Sequence, residues 1–164
     1  NFYTNETSKS GWALVSKEPI PNSTSQNYIE QTQTICNYFD SEVFGNVDEM
    51  PEIYQNAIIE FEARKSDLEN LMQSDWQECA KQLSELQITK LTRQSPADVI
   101  HDLFVYKQNN DERLLENVYT WTSARFSGGD LVFVGSFWPV GAHVDGWEPD
   151  AAAGALGAAS SRSL

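Results

Sequence analysis

The most constraining feature of the sequence is a run of regularly spaced apolar residues between Asp48 and Leu86. In its first half the spacing keeps one face of an α-helix apolar, through Met50, Ile53, Tyr54, Ala57, Ile58 and Phe61. In its second half, steps of three and four residues predict a narrower seam, formed by Leu68, Met72, Trp76, Cys79, Leu83 and Leu86. The rest of the chain is expected to be organised around this helical stretch.

The apolar pattern lapses in the middle of the stretch, between Ala63 and Asp67. Two alternatives follow: one long helix, or two helices that break there, with Ser66 as the N-cap of the second. At its beginning, Asp48 is the expected N-cap. Pro51 falls in the first turn, where its missing N–H costs little.

The same part of the chain is strongly acidic. The segment from Asp40 to Glu85 contains twelve acidic and three basic residues, so −9 of the net charge of −13 lies within 46 residues. Charge of this sign repels nucleic-acid phosphates and attracts basic protein surfaces. The pattern is open to two interpretations: a solvated helix face, or a docking surface for a basic partner.

Further helices are expected on both sides of the central stretch. Ser25 or Asn27 begins a helix that continues through Asp40, because apolar residues recur there at helical spacing. Ser95, with proline directly after it and an acid three residues later, is a strong helix start. A last helix is predicted over residues 111–124, before a Gly-Gly pair that ends it.

Strands are predicted where the chain becomes aromatic and β-branched. Residues 131–138 read as a buried strand, and residues 142–147 pair with it through a tight turn. Residues 12–16 are a candidate third, N-terminal strand. The predicted fold class is therefore α+β, mostly helical, with four to five helices and a C-terminal β-hairpin. Residues 1–150 are expected to form a single globular domain, followed by a small-residue-rich tail at 151–164.

Residues with catalytic or metal-binding potential are few. No nucleophile elbow, phosphate-binding loop, dinucleotide fingerprint or Cys-x-x-Cys pair is present. His143 and Asp145 lie two apart on a predicted strand and so point to one side, which fits a hydrolase or a metal-dependent enzyme. Two ligands do not make a metal site. We therefore expect no catalytic residue, no metal and no cofactor.

The cysteines favour a reducing compartment. Cys36 and Cys79 are too few for a disulfide scaffold, and Cys79 lies in the apolar seam, where a buried thiol is expected. A single bridge between them stays open for an exported protein. No apolar run approaches the roughly 20 residues of a membrane helix. We expect a cytoplasmic protein that does not enter a membrane.

The leading hypothesis is a small acidic binding protein rather than an enzyme. It is an immunity-type inhibitor, a monomer or small homo-oligomer, that neutralises a basic toxin or nuclease through complementary charge. Nucleic acid is disfavoured as a partner, because the net charge is −13 and the eleven lysines and arginines are scattered over the chain. A structural or assembly subunit is a further alternative. The expected partner-binding residues are Glu60, Glu62, Asp67, Glu69, Asp75, Glu78 and, as an aromatic anchor, Trp138.

Overall fold

The computed structural model describes Gly11, residues 13–45 and residues 49–163. Five α-helices lie within these residues: α1 (Tyr28–Tyr38), α2 (Glu52–Ser74), α3 (Trp76–Glu85), α4 (Gln87–Thr92) and α5 (Pro96–Asn110). They are accompanied by six strands: β1 (Ala13–Val15), β2 (Tyr119–Arg125), β3 (Leu131–Trp138), β4 (Gly141–Trp147), β5 (Leu156–Gly157) and β6 (Ser161–Ser163). The α+β class predicted from the sequence is confirmed.

The central stretch folds as two helices, α2 and α3, but the break between them does not lie where the apolar pattern lapses. The first, α2, continues through the lapse in the apolar pattern, where Arg64 and Lys65 are half-buried, so the predicted cap at Ser66 is wrong. The break falls at Asp75, whose side chain accepts a hydrogen bond from the backbone N–H of the third residue of α3. An acceptor at this position satisfies an otherwise unpaired N–H. Asp48, the expected first cap, lies outside the described residues.

The caps of the flanking helices follow the sequence closely. Asn27 and Glu30 form a reciprocal capping box at the beginning of α1. Ser95 caps α5 by accepting a hydrogen bond from Asp98 N, and Pro96 occupies the first helical position. These caps satisfy the free N–H groups of a first helical turn from within the same turn, which is why short sequence signatures predict them.

Four strands form the larger sheet, in the order β4–β3–β2–β5. The predicted hairpin is present as β3 and β4, which pair antiparallel. The predicted helix at 111–124 is wrong: α5 ends at Asn110, residues 111–118 form turns and irregular backbone, and β2 occupies residues 119–125 and pairs antiparallel with β3. Its Tyr119-Thr120-Trp121-Thr122 run is aromatic and β-branched, and such residues pack well on a pleated surface.

Both ends of the described chain are tied into sheets. The predicted N-terminal strand exists as β1, but it pairs with β6 in a separate two-stranded sheet instead of joining the hairpin. Within residues 151–164, which composition marked as a tail, β5 pairs parallel with β2. Leu156 and Ala158 there are fully buried. This segment therefore contributes to the core.

The larger sheet lies between α5 and the other helices. Trp121 and Phe133 belong to the main core, together with Tyr28 of α1, Phe61 of α2 and Leu83 of α3. On the other side, Val134 and Phe137 pack with Val99 and Leu103 of α5. Among the described residues, every helix is too short or too polar to cross a bilayer.

Candidate partner-binding site

The negative charge of the molecule is concentrated in the part of the chain that runs from α1 to the end of α3. Residues 28–85, which include α1 to α3, contain thirteen acids and three bases, a net charge of −10. Residues 86–147, which run from the start of α4 to the end of β4, contain seven acids and five bases, a net charge of −2. The helical part is therefore the strongly charged part of the surface.

The predicted acids on α2 lie on two flanks of that helix rather than in one patch. Glu60 faces α4, because its Oε2 accepts a hydrogen bond from the N–H of the first residue of α4 at 3.0 Å. Glu62 faces α1, because its Oε1 accepts one from Gln33 at 2.7 Å. Asp67 and Glu69 follow seven residues later on the same respective flanks, since seven residues make about two helical turns.

A polar network between α2 and α3 holds two of the predicted acids. Glu60 pairs with Arg64 at 3.1 Å, and Arg64 also donates to Gln82 Oε1 at 2.9 Å. Gln82 in turn donates to Glu78, which also pairs with Lys81. The hydrogen bonds from Gln82 and Lys81 lower the pKa of Glu78. These two acids are therefore engaged by side chains of their own chain.

The remaining predicted residues differ in their surroundings. Asp75 serves as the cap of α3. Asp67 and Glu69 are exposed, and no hydrogen bond or ion pair joins them to other described residues. Trp138 is 53% exposed, and its Nε1 donates to the carbonyl of Glu116 at 2.9 Å, in the connection between α5 and β2. No ring contact or hydrogen bond between described residues brings Trp138 to the acids of α2.

A pocket of about 220 Å³ opens between α1, α2 and the π-helical segment Phe39–Val43. The polar side chains around it include two carboxylates and three amides: Gln33, Asn37, Asp40, Gln55 and Glu62. Its remaining lining is formed by Cys36, Met50, Ile58 and Ile59. The pocket therefore combines an acidic edge with an apolar wall.

The π-helical segment places Asp40 at this pocket. Its i→i+5 hydrogen bonding is seen between Phe44 N and Phe39 O, 3.0 Å apart. Such single turns are rare and frequently lie at functional sites. Asp40 Oδ1 is buried and has no hydrogen-bond partner within the described structure. A buried acceptor without a donor is costly, so a hydrogen bond to this carboxylate is favourable wherever a donor can reach it.

The Cys36 thiol at the pocket is a poor nucleophile. Cys36 is only 2% exposed, and burial, assisted by the negative charge of Glu62, raises its pKa to about 12. A thiol with so high a pKa is protonated at neutral pH and is a poor nucleophile. Cys79 is also free and buried, as predicted from the apolar seam. Burial likewise raises the pKa of Cys79 to about 12, so neither thiol is an activated nucleophile.

The alternative centre on β4 is open to solvent. His143 Nε2 lies 3.8 Å from Asp145 Oδ2, and both side chains are more than half exposed. The Tyr119 hydroxyl lies 3.5 Å from His143 Nδ1. No group of three or more histidine, cysteine or acidic residues suited to a metal occurs in the described part of the chain. The enzymatic alternative stays a prediction.

Comparisons with protein-family models, with curated proteins and with solved structures gave no match to this chain. The interpretation of the site therefore depends on its geometry and charge.

Sequence reasoning missed the pocket residues other than Glu62. Asp40 was counted in the acidic stretch but not among the site residues, and Gln33 and Gln55 carried no signal at all. Spacing in the sequence does not show that Asp40, on a π-helical turn, faces the same space as Glu62 of α2. The cluster of acids was the one sequence feature that pointed toward this face.

Proposed function

We propose that the protein is a small acidic inhibitor of the immunity type, which neutralises a basic toxin or nuclease by binding it through α1 and α2. The observation that supports this proposal is the net charge of −10 on residues 28–85, combined with exposed carboxylates that have no basic partner. Solubility requires a net charge away from zero but no concentration of it in one part of the surface. A surface that attracts a basic partner gains speed of encounter and selectivity.

Three of the predicted residues carry the proposal in its present form. Glu62, Asp67 and Glu69 are exposed on α2, so their charges are available to a partner. Glu60, Asp75 and Glu78 bind groups within the chain and contribute mainly to the local fold and the overall field. Trp138 remains a candidate anchor of a separate contact.

The compartment forms part of the same proposal. Both cysteines are free thiols in the structure. Free buried thiols fit a reducing compartment such as the cytoplasm, where a toxin-neutralising protein protects the cell that makes it. A monomer or small homo-oligomer is compatible with the surface described.

Inhibition assays with a panel of purified basic ribonucleases and deoxyribonucleases test the proposal. We expect one class to be inhibited, with affinity falling about tenfold or more between 50 and 500 mM salt, because ions screen exposed charges. The double variant Asp67→Asn/Glu69→Gln is expected to weaken inhibition about tenfold at low salt.

The matched control removes the same charge elsewhere. Glu18→Gln/Glu148→Gln changes two exposed acids outside α1 to α3, and we expect inhibition to stay within about twofold. Affinity that does not respond to salt, or an equal loss in both double variants, contradicts a partner site on α2. A panel with no inhibited basic enzyme contradicts the nuclease version of the proposal.

A further inference from the structure

We infer that the pocket between α1 and α2 receives an arginine side chain of the basic partner. This inference rests on the proposed function, but it concerns one cavity and one type of side chain. It goes beyond general charge attraction, because it assigns a place where the partner becomes buried. Buried central contacts of this kind carry most of the energy in protein interfaces.

The shape and lining of the pocket suit a long side chain with a charged end. Met50 and Ile58 provide apolar contacts on one side, and Ile59, which is 64% exposed, stands at its edge. Arginine has a methylene stem that packs on apolar surface while its charged head stays in polar surroundings. A purely apolar ligand would leave the carboxylates of Asp40 and Glu62 desolvated and unpaired, which is unfavourable.

The charge of the pocket is not neutralised from within. Lys65 contacts a pocket amide, because its Nζ donates to Gln33 Oε1 at 2.9 Å, but no ion pair between described residues joins it to either pocket carboxylate. Gln33 donates in turn to Glu62 Oε1. The amide thereby separates the lysine from the carboxylate. Two negative charges therefore remain at the pocket for a ligand cation.

The number of acceptors favours arginine over lysine. A guanidinium carries five N–H donors in a planar fork that matches a carboxylate with two parallel hydrogen bonds, whereas an ammonium carries three donors. Asp40 and Glu62 supply two carboxylates beside three amide side chains. Asp40 also holds a buried oxygen without a donor.

Titration with n-butylguanidinium chloride, followed by amide chemical shifts in the full-length protein, tests the inference. We expect saturable shifts at Asn37, Asp40 and Ile59, and weaker binding of n-butylammonium. Asp40→Asn and Glu62→Gln are each expected to weaken guanidinium binding about fivefold. Glu69→Gln removes the same charge two turns along the same flank of α2, outside the pocket, and is expected to change binding by less than about twofold.

A substitution at the exposed Ile59 tests the pocket without altering its buried carboxylate, in case a pocket substitution disturbs folding. Ile59→Arg places a guanidinium of the chain itself at the exposed edge of the pocket, and it is expected to abolish probe binding. The inference is overturned if the Ile59→Arg variant still binds n-butylguanidinium, or if the chemical-shift changes map outside the pocket. It is also overturned if Glu69→Gln weakens guanidinium binding as much as Asp40→Asn or Glu62→Gln does. Tighter binding of n-butylammonium than of n-butylguanidinium overturns the assignment to arginine.

The nuclease assay separates failure of this inference from failure of the proposed function. If charge alone acts, Asp40→Asn and Glu69→Gln weaken inhibition equally, and the function stands while the pocket assignment falls. If the probe binds in the pocket but no basic enzyme is inhibited, the proposed function falls and the cavity remains a guanidinium site. If both proposals hold, Asp40→Asn weakens inhibition of the nuclease more than Glu69→Gln does.

Discussion

The helical part and the sheet part of this molecule use their surfaces differently. Residues 28–85 carry a net charge of −10, whereas residues 86–147 carry −2. In the sheet part, backbone segments approach so closely that a glycine is required, as at Gly135. In the helical part, long polar side chains reach across from helix to helix. Close backbone approach is thus a feature of the sheet part, whereas the helical part carries most of the negative charge of the molecule.

The two parts share one core, and a buried cation lies where they meet. Arg93 is 2% exposed, and its Cζ lies 4.1 Å from the ring centre of Tyr28 in α1. Tyr28 in turn meets Trp121 of β2 edge to face at 5.7 Å. Burial lowers the pKa of Arg93, and its Nε and Nη1 have no hydrogen-bond partner within the described structure. Its Nη2 donates to Thr32 Oγ1 at 3.4 Å, so ring contact, packing and one long hydrogen bond hold this side chain.

The largest effect is expected for Gly135→Ala in the sheet. An added Cβ would lie 2.1 Å from the carbonyl oxygen of Val118 and 2.6 Å from Tyr119 Cα, both backbone atoms. We expect the free energy of unfolding, measured by urea denaturation, to fall by about 3 kcal/mol, because a rigid backbone must move. At the control position, Gly154→Ala, the nearest atom is 3.9 Å away, at Ser25 Oγ. Similar stabilities of the two variants would refute the β2–β3 register.

A smaller effect is expected at the junction of the two parts. Arg93→Ala leaves a cavity against Tyr28 and is expected to lower the free energy of unfolding by about 2 kcal/mol. Arg93→Met retains an unbranched chain of similar length and removes an unpaired buried charge, so a change below about 1 kcal/mol is expected. Thermal and urea unfolding measure both. If the methionine variant loses as much as the alanine variant, charged hydrogen bonds rather than packing hold the junction.

The smallest effects are expected on the acidic helices, and they differ in sign. Glu60→Gln removes the pair with Arg64 and weakens the acceptor for the first N–H of α4, which we expect to cost about 1 kcal/mol. Glu69→Gln relieves repulsion at an unpaired site, and a gain of up to about 0.5 kcal/mol that disappears in high salt is expected. Urea denaturation at two salt concentrations measures both. If both substitutions lowered the free energy of unfolding by the same amount, Glu69 would also have a partner within the chain.

Features encoded by neighbouring residues were predictable from the sequence. The apolar spacing predicted helix through most of residues 52–85, and Ser95-Pro96 predicted the beginning of α5. The hairpin β3–β4 followed from a short apolar, β-branched run bounded by glycines and a turn. The acidity of the helical part, which supports the candidate site, also follows from counting residues. In each case the deciding interactions lie within a few residues or depend on composition.

Features that depend on distant residues were decided by the tertiary structure. Residues 119–125 form a strand because β3 and β5 pair with them on either side, although helix was predicted there. The continuity of α2 past Ser66 depends on partners that other helices provide for Arg64 and Lys65. The pocket requires Asp40 and Glu62 to face one space across two helices. Periodicity and composition describe the chain locally, whereas strand pairing and cavities depend on which distant segments meet.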